Sequence, residues 1–338
     1  MSAELKVTVA DMVVRGKGIL AADESSPTIT KRFAAVGVES TEENRRAYRE
    51  MLFTAKGINE YISGVIMFEE TLYQKTAKGK PFPQLLAELG IVPGIKVDKG
   101  LIALDDQNIE KSTLGIEDLA ERLKKYKEVG ARFAKWRAVY TISASTPTDH
   151  AIEINAEGLA KYAALCQSQG IVPIVEPEVL LDGDHTLETS SEITAKVLSA
   201  VFLSLKKHKV QLGLMYLKPS MVVAGDKCKK KATIAQQAKE TVNVLKAVVP
   251  TQVPWIVFLS GGQSSAQATA HLQYMAAETP NLPWTLSFSY GRALQDDAMK
   301  AWAGSVKNVT KAQAAFYKRA KLNSLASNGK YAESMEQK

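Results

Sequence analysis

Residues 172–178 read VPIVEPE, a short apolar run that ends in two carboxylates. The run is continuously hydrophobic rather than alternating, as expected of a parallel strand that is covered on both faces. Runs of the same kind begin roughly every 30–45 residues, which leaves room for a helix between each pair. The other predicted strands are 18–23, 64–68, 92–97, 133–139, 212–218, 255–259 and 284–289.

Helical signals lie between these runs. Ser40 and Glu43 have the spacing of a capping box ahead of a helix predicted over 45–56. Apolar residues recur at helical spacing at Ile116, Leu119, Leu123 and Tyr126. Strands that alternate with helices form βαβ units and a parallel sheet. Eight such units favour an α/β fold of the closed (β/α)8 TIM-barrel type, although periodicity alone also fits a doubly wound sheet.

A barrel of this type needs roughly 250 residues, and terminal extensions account for the rest of the chain. No Pro-, Gly- or Ser-rich linker divides the 338 residues, so we predict a single domain over residues 1–338. Residues 1–15 are predicted to form an extra amphipathic helix before the first strand. Residues 329–338 are polar and are predicted to form a mobile tail.

The charge balance is modestly basic, with 43 Lys and Arg against 36 Asp and Glu and a net charge of +7. A positive charge attracts anions in general, namely phosphorylated metabolites, nucleic acid or acidic proteins. Because the chain has no long block of like charges, we interpret the balance as that of an ordinary protein surface and expect no nucleic-acid partner.

Two lone cysteines, Cys166 and Cys228, suit a reducing compartment. The first residues contain no apolar signal core, and no run approaches the roughly 18 apolar residues of a membrane span. We therefore expect a cytoplasmic protein. The four histidines lack paired metal-ligand spacing, and the sequence has neither a P-loop nor a Rossmann glycine pattern. We therefore expect neither a metal nor a cofactor.

Charged and polar residues recur at the ends of the apolar runs, where burial normally excludes them. In a barrel, the carboxyl ends of the strands meet at one mouth, where active sites form. Structural ion pairs are the alternative interpretation, but buried pairs rarely add net stability. The residues at these ends are Asp23, Lys96, Lys135, Arg137, Glu176, Glu178, Lys218, Ser260, Gly261, Gly262, Ser289, Gly291 and Arg292.

Two lysines in this set indicate imine chemistry. Desolvation and a nearby ammonium both disfavour the charged form of a lysine, and a neutral lysine can attack a carbonyl carbon to form an imine. Lys218, with Lys135 near it, meets this need. Glu176 could transfer protons as a general acid and base. Glu178 could hold either lysine in place, and Asp23 could bond a substrate hydroxyl.

Two turns predict a phosphate site. Ser260, Gly261 and Gly262 offer backbone N–H groups and a hydroxyl ahead of a helix. Gly291 and Arg292 offer an N–H group and a guanidinium, also ahead of a helix. Helix N-termini favour anions, and the loops after strands seven and eight of a barrel frequently bind phosphate.

Long, ordered motifs in the sequence resemble those of the class I fructose-1,6-bisphosphate aldolase family. The resemblance runs from about residue 10 to about residue 331, with motifs at 18–25, 94–100, 133–137, 174–178, 217–219, 258–264 and 288–294. It implies a lyase that reversibly cleaves fructose 1,6-bisphosphate to dihydroxyacetone phosphate and glyceraldehyde 3-phosphate without metal, in glycolysis or gluconeogenesis. It also implies a homotetramer and binding to cytoskeletal, actin-type partners.

The resemblance assigns roles to individual residues. Lys218 would be the Schiff-base lysine, and Glu176 would be the principal proton carrier. Asp23 and Lys135 would act around the C4 hydroxyl and at the carbinolamine steps. The residues that would hold the C1 phosphate are Ser260, Gly261, Gly262, Ser289, Gly291 and Arg292. Those toward the C6 phosphate would be Ser25, Arg32 and Lys96, with Arg137 beside the site.

The sequence departs from the family pattern in two places. It reads Ser26-Pro27-Thr28 where the pattern is closer to Thr-Gly-Ser, so Pro27 stiffens the predicted C6-phosphate region. Family members end in a tyrosine that assists proton transfer, whereas the last tyrosine here is Tyr331. We expect a missing tail rather than a slow proton step. Three other functions stay open: a Schiff-base aldolase of a related sugar phosphate, a basic scaffold for acidic or cytoskeletal partners, and a metal-dependent aldolase.

Overall fold

The computed structural model describes residues 2–279 and 281–337, and within them eight parallel strands close into a barrel. In chain order, the ten strands of the described residues are β1 (Gly18–Ala22), β2 (Ile62–Met67), β3 (Val92–Lys96), β4 (Leu101–Ala103), β5 (Lys111–Thr113), β6 (Phe133–Tyr140), β7 (Val172–Val179), β8 (Tyr216–Leu217), β9 (Trp255–Phe258) and β10 (Thr285–Tyr290), and all but β4 and β5 belong to the barrel. β4 and β5 form a separate antiparallel hairpin. The barrel closes where β1 pairs with β10. This closure confirms the (β/α)8 prediction and excludes the doubly wound sheet.

Helices cover the outside of the barrel and one of its ends. They are α1 (Ser2–Met12), α2 (Ser26–Ala34), α3 (Glu42–Phe53), α4 (Glu69–Tyr73), α5 (Phe82–Glu88), α6 (Leu119–Glu128), α7 (Asp149–Ser168), α8 (Leu187–Lys207), α9 (Ile234–Val248), α10 (Ser265–Glu278), α11 (Arg292–Trp302) and α12 (Val309–Ser327). In the described part of the chain, no helix combines the length and the apolar character that crossing a membrane requires.

Burial on both faces explains why the strands are continuously apolar. Side chains such as Ile174 and Trp255 form an inner core within the barrel. Side chains on the other face form a second, larger core against the helices. The inner packing requires a glycine at position 94, because a Cβ on Gly94 would lie 2.2 Å from the ring of Phe133.

The predicted extra N-terminal helix is confirmed as α1, and it closes the amino-terminal end of the barrel. Leu5 and Met12 join the inner core. The Tyr216 hydroxyl, from inside the barrel, donates to the backbone oxygen of Thr8 at 3.4 Å. The carboxyl ends of the strands are therefore left to form a site. Met1, which also fell within the predicted helical segment, lies outside the described residues.

The sixth predicted strand is largely wrong. Instead of 212–218, β8 comprises only two residues, because Leu212–Leu214 forms a 3-10 turn ahead of it. The backbone N–H of Lys218 still donates to the Val175 oxygen at 2.8 Å. Lys218 therefore keeps its place at the end of the strand.

The predicted capping box before α3 is wrong by one residue. Thr41 is the N-cap, and its hydroxyl accepts from the backbone N–H of Asn44 at 3.1 Å. The backbone oxygen of Ser40 instead accepts from the guanidinium of Arg45 at 2.7 Å. The helix therefore begins at Glu42, three residues before the predicted start.

The tail predicted to be mobile contacts α12 as far as Glu336, although residues 332–334 and Gln337 are exposed. Tyr331 is buried, and Glu333–Gln337 forms a 3-10 turn. Both guanidinium Nη atoms of Arg319 on α12 lie 2.7 Å from the carboxylate of Glu336. These contacts hold the polar segment in place, which composition alone did not indicate. Lys338 lies outside the described residues.

Candidate active site

A cavity of about 650 Å³ opens at the carboxyl ends of the barrel strands. Every residue that the sequence predicted for the site lines this cavity except Gly262. The lining residues from the predicted set are Asp23, Ser25, Arg32, Lys96, Lys135, Arg137, Glu176, Glu178, Lys218, Ser260, Gly261, Ser289, Gly291 and Arg292. The barrel thus brings together side chains from both ends of the sequence.

A series of buried ion pairs crosses the cavity. Nζ of Lys218 lies 3.1 Å from Oε1 of Glu176, and Nζ of Lys135 lies 2.8 Å from Oε2 of the same carboxylate. Lys135 also donates a hydrogen bond of 3.1 Å to Oδ2 of Asp23. One carboxylate therefore contacts both amines, and the second amine connects it to another carboxylate.

Burial and neighbouring charge shift the pKa values of these groups. Desolvation lowers the pKa of Lys218 to about 8, against the attraction of Asp23 and Glu178. Desolvation also lowers the pKa of Lys135 to about 8, and the charge of Lys218 adds to this effect. Burial alone would raise the pKa of Asp23, but the charges of Lys135, Lys218 and Lys96 outweigh it and lower that pKa to about 2. A neutral amine is therefore accessible near neutral pH beside an ionised carboxylate.

Glu178 does not hold either lysine, contrary to the expectation from the sequence. Among the described residues, its ion-pair partner is Arg137, and Glu176 is the carboxylate that contacts the lysines. The parallel register aligns Glu176 with Arg137 and Glu178 with Val139 on β6. Each glutamate contacts the cation two positions before its register partner, so Glu176 pairs with Lys135 and Glu178 with Arg137. Glu178 therefore lies two residues farther toward the mouth.

The predicted C1-phosphate side begins at the turn after β9. Gly261 and Gly262 have φ angles of +54° and +94°, in the left-handed region that glycine adopts without strain. Ser260 ahead of them is buried. Ser289, at the end of β10, is 1% exposed, and its hydroxyl has no hydrogen-bond partner among the residues that the structure describes.

The turn after β10 lies next to the turn after β9. Gly291 is the N-cap of α11, whose first residue is the exposed Arg292. A Cβ built on Gly262 would lie 3.7 Å from Nη2 of Arg292. Gly262 is thus outside the cavity lining but adjacent to a residue within it. The two turns together offer hydroxyl, backbone and guanidinium donors to an anion.

The predicted C6-phosphate side is built from the segments after β1 and β3. Oγ of Ser25 lies 3.1 Å from Oγ1 of Thr28 at the start of α2. Nζ of Lys96 lies 3.0 Å from Oδ1 of Asp98. Sequence analysis missed Asp98 as a lining residue, although its position two residues after Lys96 would have indicated the same face of the chain.

Arg32 lines the cavity but is already engaged with carboxylates. Its guanidinium pairs with Glu24 and lies 3.0 Å from Oδ1 of Asp296 on α11. Sequence analysis also missed Glu24 and Lys31, which both line the cavity. Glu24 directly follows Asp23, whereas no sequence pattern distinguishes Lys31 from other lysines on a helix.

The groups in the cavity favour carbonyl chemistry on an anionic substrate. Two amines and two carboxylates are in direct contact, and phosphate-type donors lie in the turns around them. Across residues 2–279 and 281–337, no cluster of three or more His, Cys, Asp or Glu side chains is arranged to hold a metal ion.

The family model for fructose-bisphosphate aldolase class-I matches residues 4–338. The chain belongs to this family. "Fructose-bisphosphate aldolase 4, cytosolic" of Arabidopsis thaliana is 52% identical over 328 residues, which are 97% of this chain and 84% of that protein. "Probable fructose-bisphosphate aldolase class 1" of Xanthomonas campestris is 52% identical over 329 residues, which are 97% of this chain and 98% of that protein.

Comparison of structures agrees with the family assignment. A ternary crystal structure of fructose-bisphosphate aldolase from Plasmodium falciparum, in complex with TRAP and a small-molecule inhibitor, has a TM-score of 0.95 and 49% sequence identity. The superposed region covers 98% of this chain and 95% of the Plasmodium falciparum chain. The prediction of a class I fructose-bisphosphate aldolase, a lyase of glycolysis, is confirmed.

Proposed function

We propose that Lys218 is the nucleophile in a Schiff-base cleavage of fructose 1,6-bisphosphate. The environment of the Lys218 amine carries this proposal: the side chain is buried, its pKa is lowered to about 8, and Nζ lies 3.1 Å from Oε1 of Glu176. The neutral amine attacks the C2 carbonyl carbon to give a carbinolamine, and loss of water gives the imine. The protonated imine then accepts the electron pair of the C3–C4 bond as that bond breaks.

Glu176 is the proposed principal proton carrier, because its carboxylate reaches both amines. It can take a proton from the carbinolamine and return one to the hydroxyl that leaves as water. Asp23 and Lys135 are proposed to act around the C4 hydroxyl, whose proton must be removed as the aldehyde forms. Glu178 is proposed to act indirectly by fixing Arg137 beside the substrate.

The two phosphates of the substrate are proposed to bind on separate sides of the central amines. The proposed C1-phosphate residues are Ser260, Gly261, Gly262, Ser289, Gly291 and Arg292, and the proposed C6-phosphate residues are Ser25, Arg32 and Lys96. Among the described residues, Arg32 is paired with Glu24 and Asp296, and Lys96 is paired with Asp98 alone, so the proposed phosphate would compete with fewer carboxylates at Lys96. Equal turnover of fructose 1-phosphate and the bisphosphate would instead favour an aldolase of a related sugar phosphate.

Borohydride trapping tests the Schiff base directly. The protein is incubated with dihydroxyacetone phosphate and a chelator, reduced, and mapped by peptide mass spectrometry. A reduced adduct on Lys218 is expected. Lys218→Arg keeps the charge but removes the nucleophilic amine, and it should carry no adduct. An adduct on Lys135 would move the role of nucleophile to that residue, and no adduct on folded protein would overturn the mechanism.

We further propose that residues 1–338 act as one domain within a cytoplasmic homotetramer that binds acidic, actin-type partners. The β4–β5 hairpin and the segment after it expose the apolar side chains of Leu101, Ile102 and Leu114, which supports self-association. The cytosolic relative supports the location, and the relative solved with TRAP supports a protein partner. Light scattering tests the tetramer, and actin co-sedimentation with substrate as competitor tests the partner.

A further inference from the structure

Gln263 directly follows the turn formed by residues 260–262 and connects it to another part of the site. Its backbone N–H donates to the Ser260 oxygen at 3.0 Å, which closes the turn. Its side-chain Nε2 donates to the sulfur of Met221 at 3.4 Å. Met221 is buried and lies three residues after Lys218. The Gln263 amide therefore spans from the turn to the segment that carries the lysine.

A second hydrogen bond fixes the other end of this amide. Nδ1 of His271 on α10 contacts Oε1 of Gln263, and His271 is 4% exposed. Burial lowers the pKa of His271 to about 4, so the ring is neutral near neutral pH. Because an amide oxygen only accepts, Nδ1 must carry the proton. Nε2 of His271 is buried without a hydrogen-bond partner among the described residues, so it has no acceptor to which it could donate a proton. This agrees with the tautomer that carries the proton on Nδ1.

Gln267, a nearby glutamine on the same helix, has a different environment. Its side-chain oxygen accepts from the backbone N–H of Ser264 at 3.1 Å, and the Ser264 hydroxyl caps α10 in return. Gln267 therefore stabilises the start of the helix, while Gln263 connects the turn to Met221. The two glutamines provide a matched pair for experiment.

We propose that Gln263 is a positioning residue that holds the turn 260–262 at a fixed distance from Lys218, and that His271 orients its amide. The inference rests on the proposed function, in which this turn binds the C1 phosphate while Lys218 attacks C2. Only C1 and one oxygen separate C2 from the phosphorus atom of the substrate. A short rigid connection of this kind requires the two protein groups to keep a matching separation.

The test compares borohydride trapping of dihydroxyacetone phosphate with that of dihydroxyacetone, which lacks the phosphate. The ratio of the two trapping rates measures how much the bound phosphate speeds imine formation. A high ratio means that phosphate binding places C2 within reach of Lys218. Gln263→Ala should lower the ratio about tenfold, the effect of losing a constraining hydrogen bond. The lower ratio should result from slower trapping of dihydroxyacetone phosphate, while the trapping rate of dihydroxyacetone stays unchanged.

Control variants separate positioning from general damage. Gln267→Ala should keep the wild-type ratio. His271→Ala should lower it, and His271→Asn should restore it, because the Asn amide nitrogen is bonded to Cγ as Nδ1 is. The His271 pair tests the same link if Gln263→Ala fails to fold.

The outcomes are distinguishable. A wild-type protein without preference for the phosphorylated ketose would overturn the proposed function itself. A wild-type preference that persists in Gln263→Ala would overturn only this inference. An equal loss in Gln263→Ala and Gln267→Ala would also overturn it, because damage to the start of α10 would then explain both.

Discussion

Nζ of Lys218 lies 3.1 Å from Oε1 of Glu176, and each side chain is only 4% exposed. At this distance the carboxylate can exchange a proton with the amine, or with an adduct formed on it, without an intervening water. Its other oxygen lies 2.8 Å from Nζ of Lys135. The three charged groups therefore lie within ion-pair distance of one another through Glu176, and we expect a change in one of them to affect the other two.

Glu176→Gln should reduce kcat by roughly 10²–10⁴, the usual contribution of general acid–base catalysis. The amide has nearly the same shape as the carboxylate but cannot accept a proton from the carbinolamine. Steady-state cleavage of fructose 1,6-bisphosphate measures the effect. Glu178→Gln is the control and should lose less, because Glu178 pairs with Arg137. A normal kcat in Glu176→Gln would remove this residue from its proposed role.

Imine formation should depend on pH with a midpoint near the pKa of Lys218, about 8. The neutral amine is the nucleophile, so the trapping rate should rise with pH below this value and level off above it. Arg137→Gln should move the midpoint upward, because the charge of Arg137 lowers the pKa of Lys218. Trapping of dihydroxyacetone across this pH range measures both midpoints. A downward shift in the variant would contradict the electrostatic argument.

Ser289→Ala should raise KM for fructose 1,6-bisphosphate by roughly 10- to 150-fold with little change in thermal stability. The Ser289 hydroxyl is buried without a partner among the described residues, so its removal breaks no hydrogen bond in the unliganded protein. A phosphate oxygen would gain this donor on binding, and a hydrogen bond to a charged group contributes about 1.5–3 kcal/mol. Kinetics and calorimetry measure the two effects. A lower melting temperature with an unchanged KM would assign the hydroxyl a structural role.

Glu336→Gln should reduce the free energy of unfolding by about 1–3 kcal/mol, because it removes a charge from the pair with the buried Arg319. The effect should be visible in urea unfolding, whereas kcat should not change, because neither residue lines the cavity. An unchanged unfolding midpoint would mean that the tail contact contributes nothing.

The same variant should lose its effect in acid. Burial alone would raise the pKa of Glu336, but hydrogen bonds from Arg319 and Tyr331 lower it. A carboxyl with a lowered folded-state pKa provides stability above its unfolded pKa, and this stability is lost as the pH falls. The difference between wild type and Glu336→Gln should therefore shrink from neutral to acid pH. A constant difference would show that the charge of Glu336 is not the cause.

The barrel fold and most residues that line the cavity could be predicted, because both depend on local sequence patterns. Each buried strand is an apolar run, and the polar residue that ends the run marks the mouth. The pattern was less informative at β8, where Gly213 lies within a 3-10 turn and only two residues pair as a strand. Lys218 could still be placed, because its position depends on the end of the strand and not on its length.

The pairing of charges within the mouth could not be predicted. Glu176 and Glu178 are two residues apart on β7 and face the same way, and only the stagger between neighbouring strands places one of them beside the lysines. Arg32 pairs with Asp296, which is 264 positions away in the chain. Such partners are determined by the closed barrel and leave no local signal in the sequence.

The barrel closes through the pairing of Ile19 with Ser289 and of Leu20 with Tyr290. During synthesis β1 leaves the ribosome among the first elements, but Asp23 can join Ser289 at the mouth only after nearly the whole chain has been made. The first three barrel strands can pair with one another early, whereas Lys218 and the turns at 260–262 and 289–292, which we propose to bind phosphate, are made later. A sugar bisphosphate can therefore stabilise the finished protein by mass action, but it cannot guide the early stages of its folding.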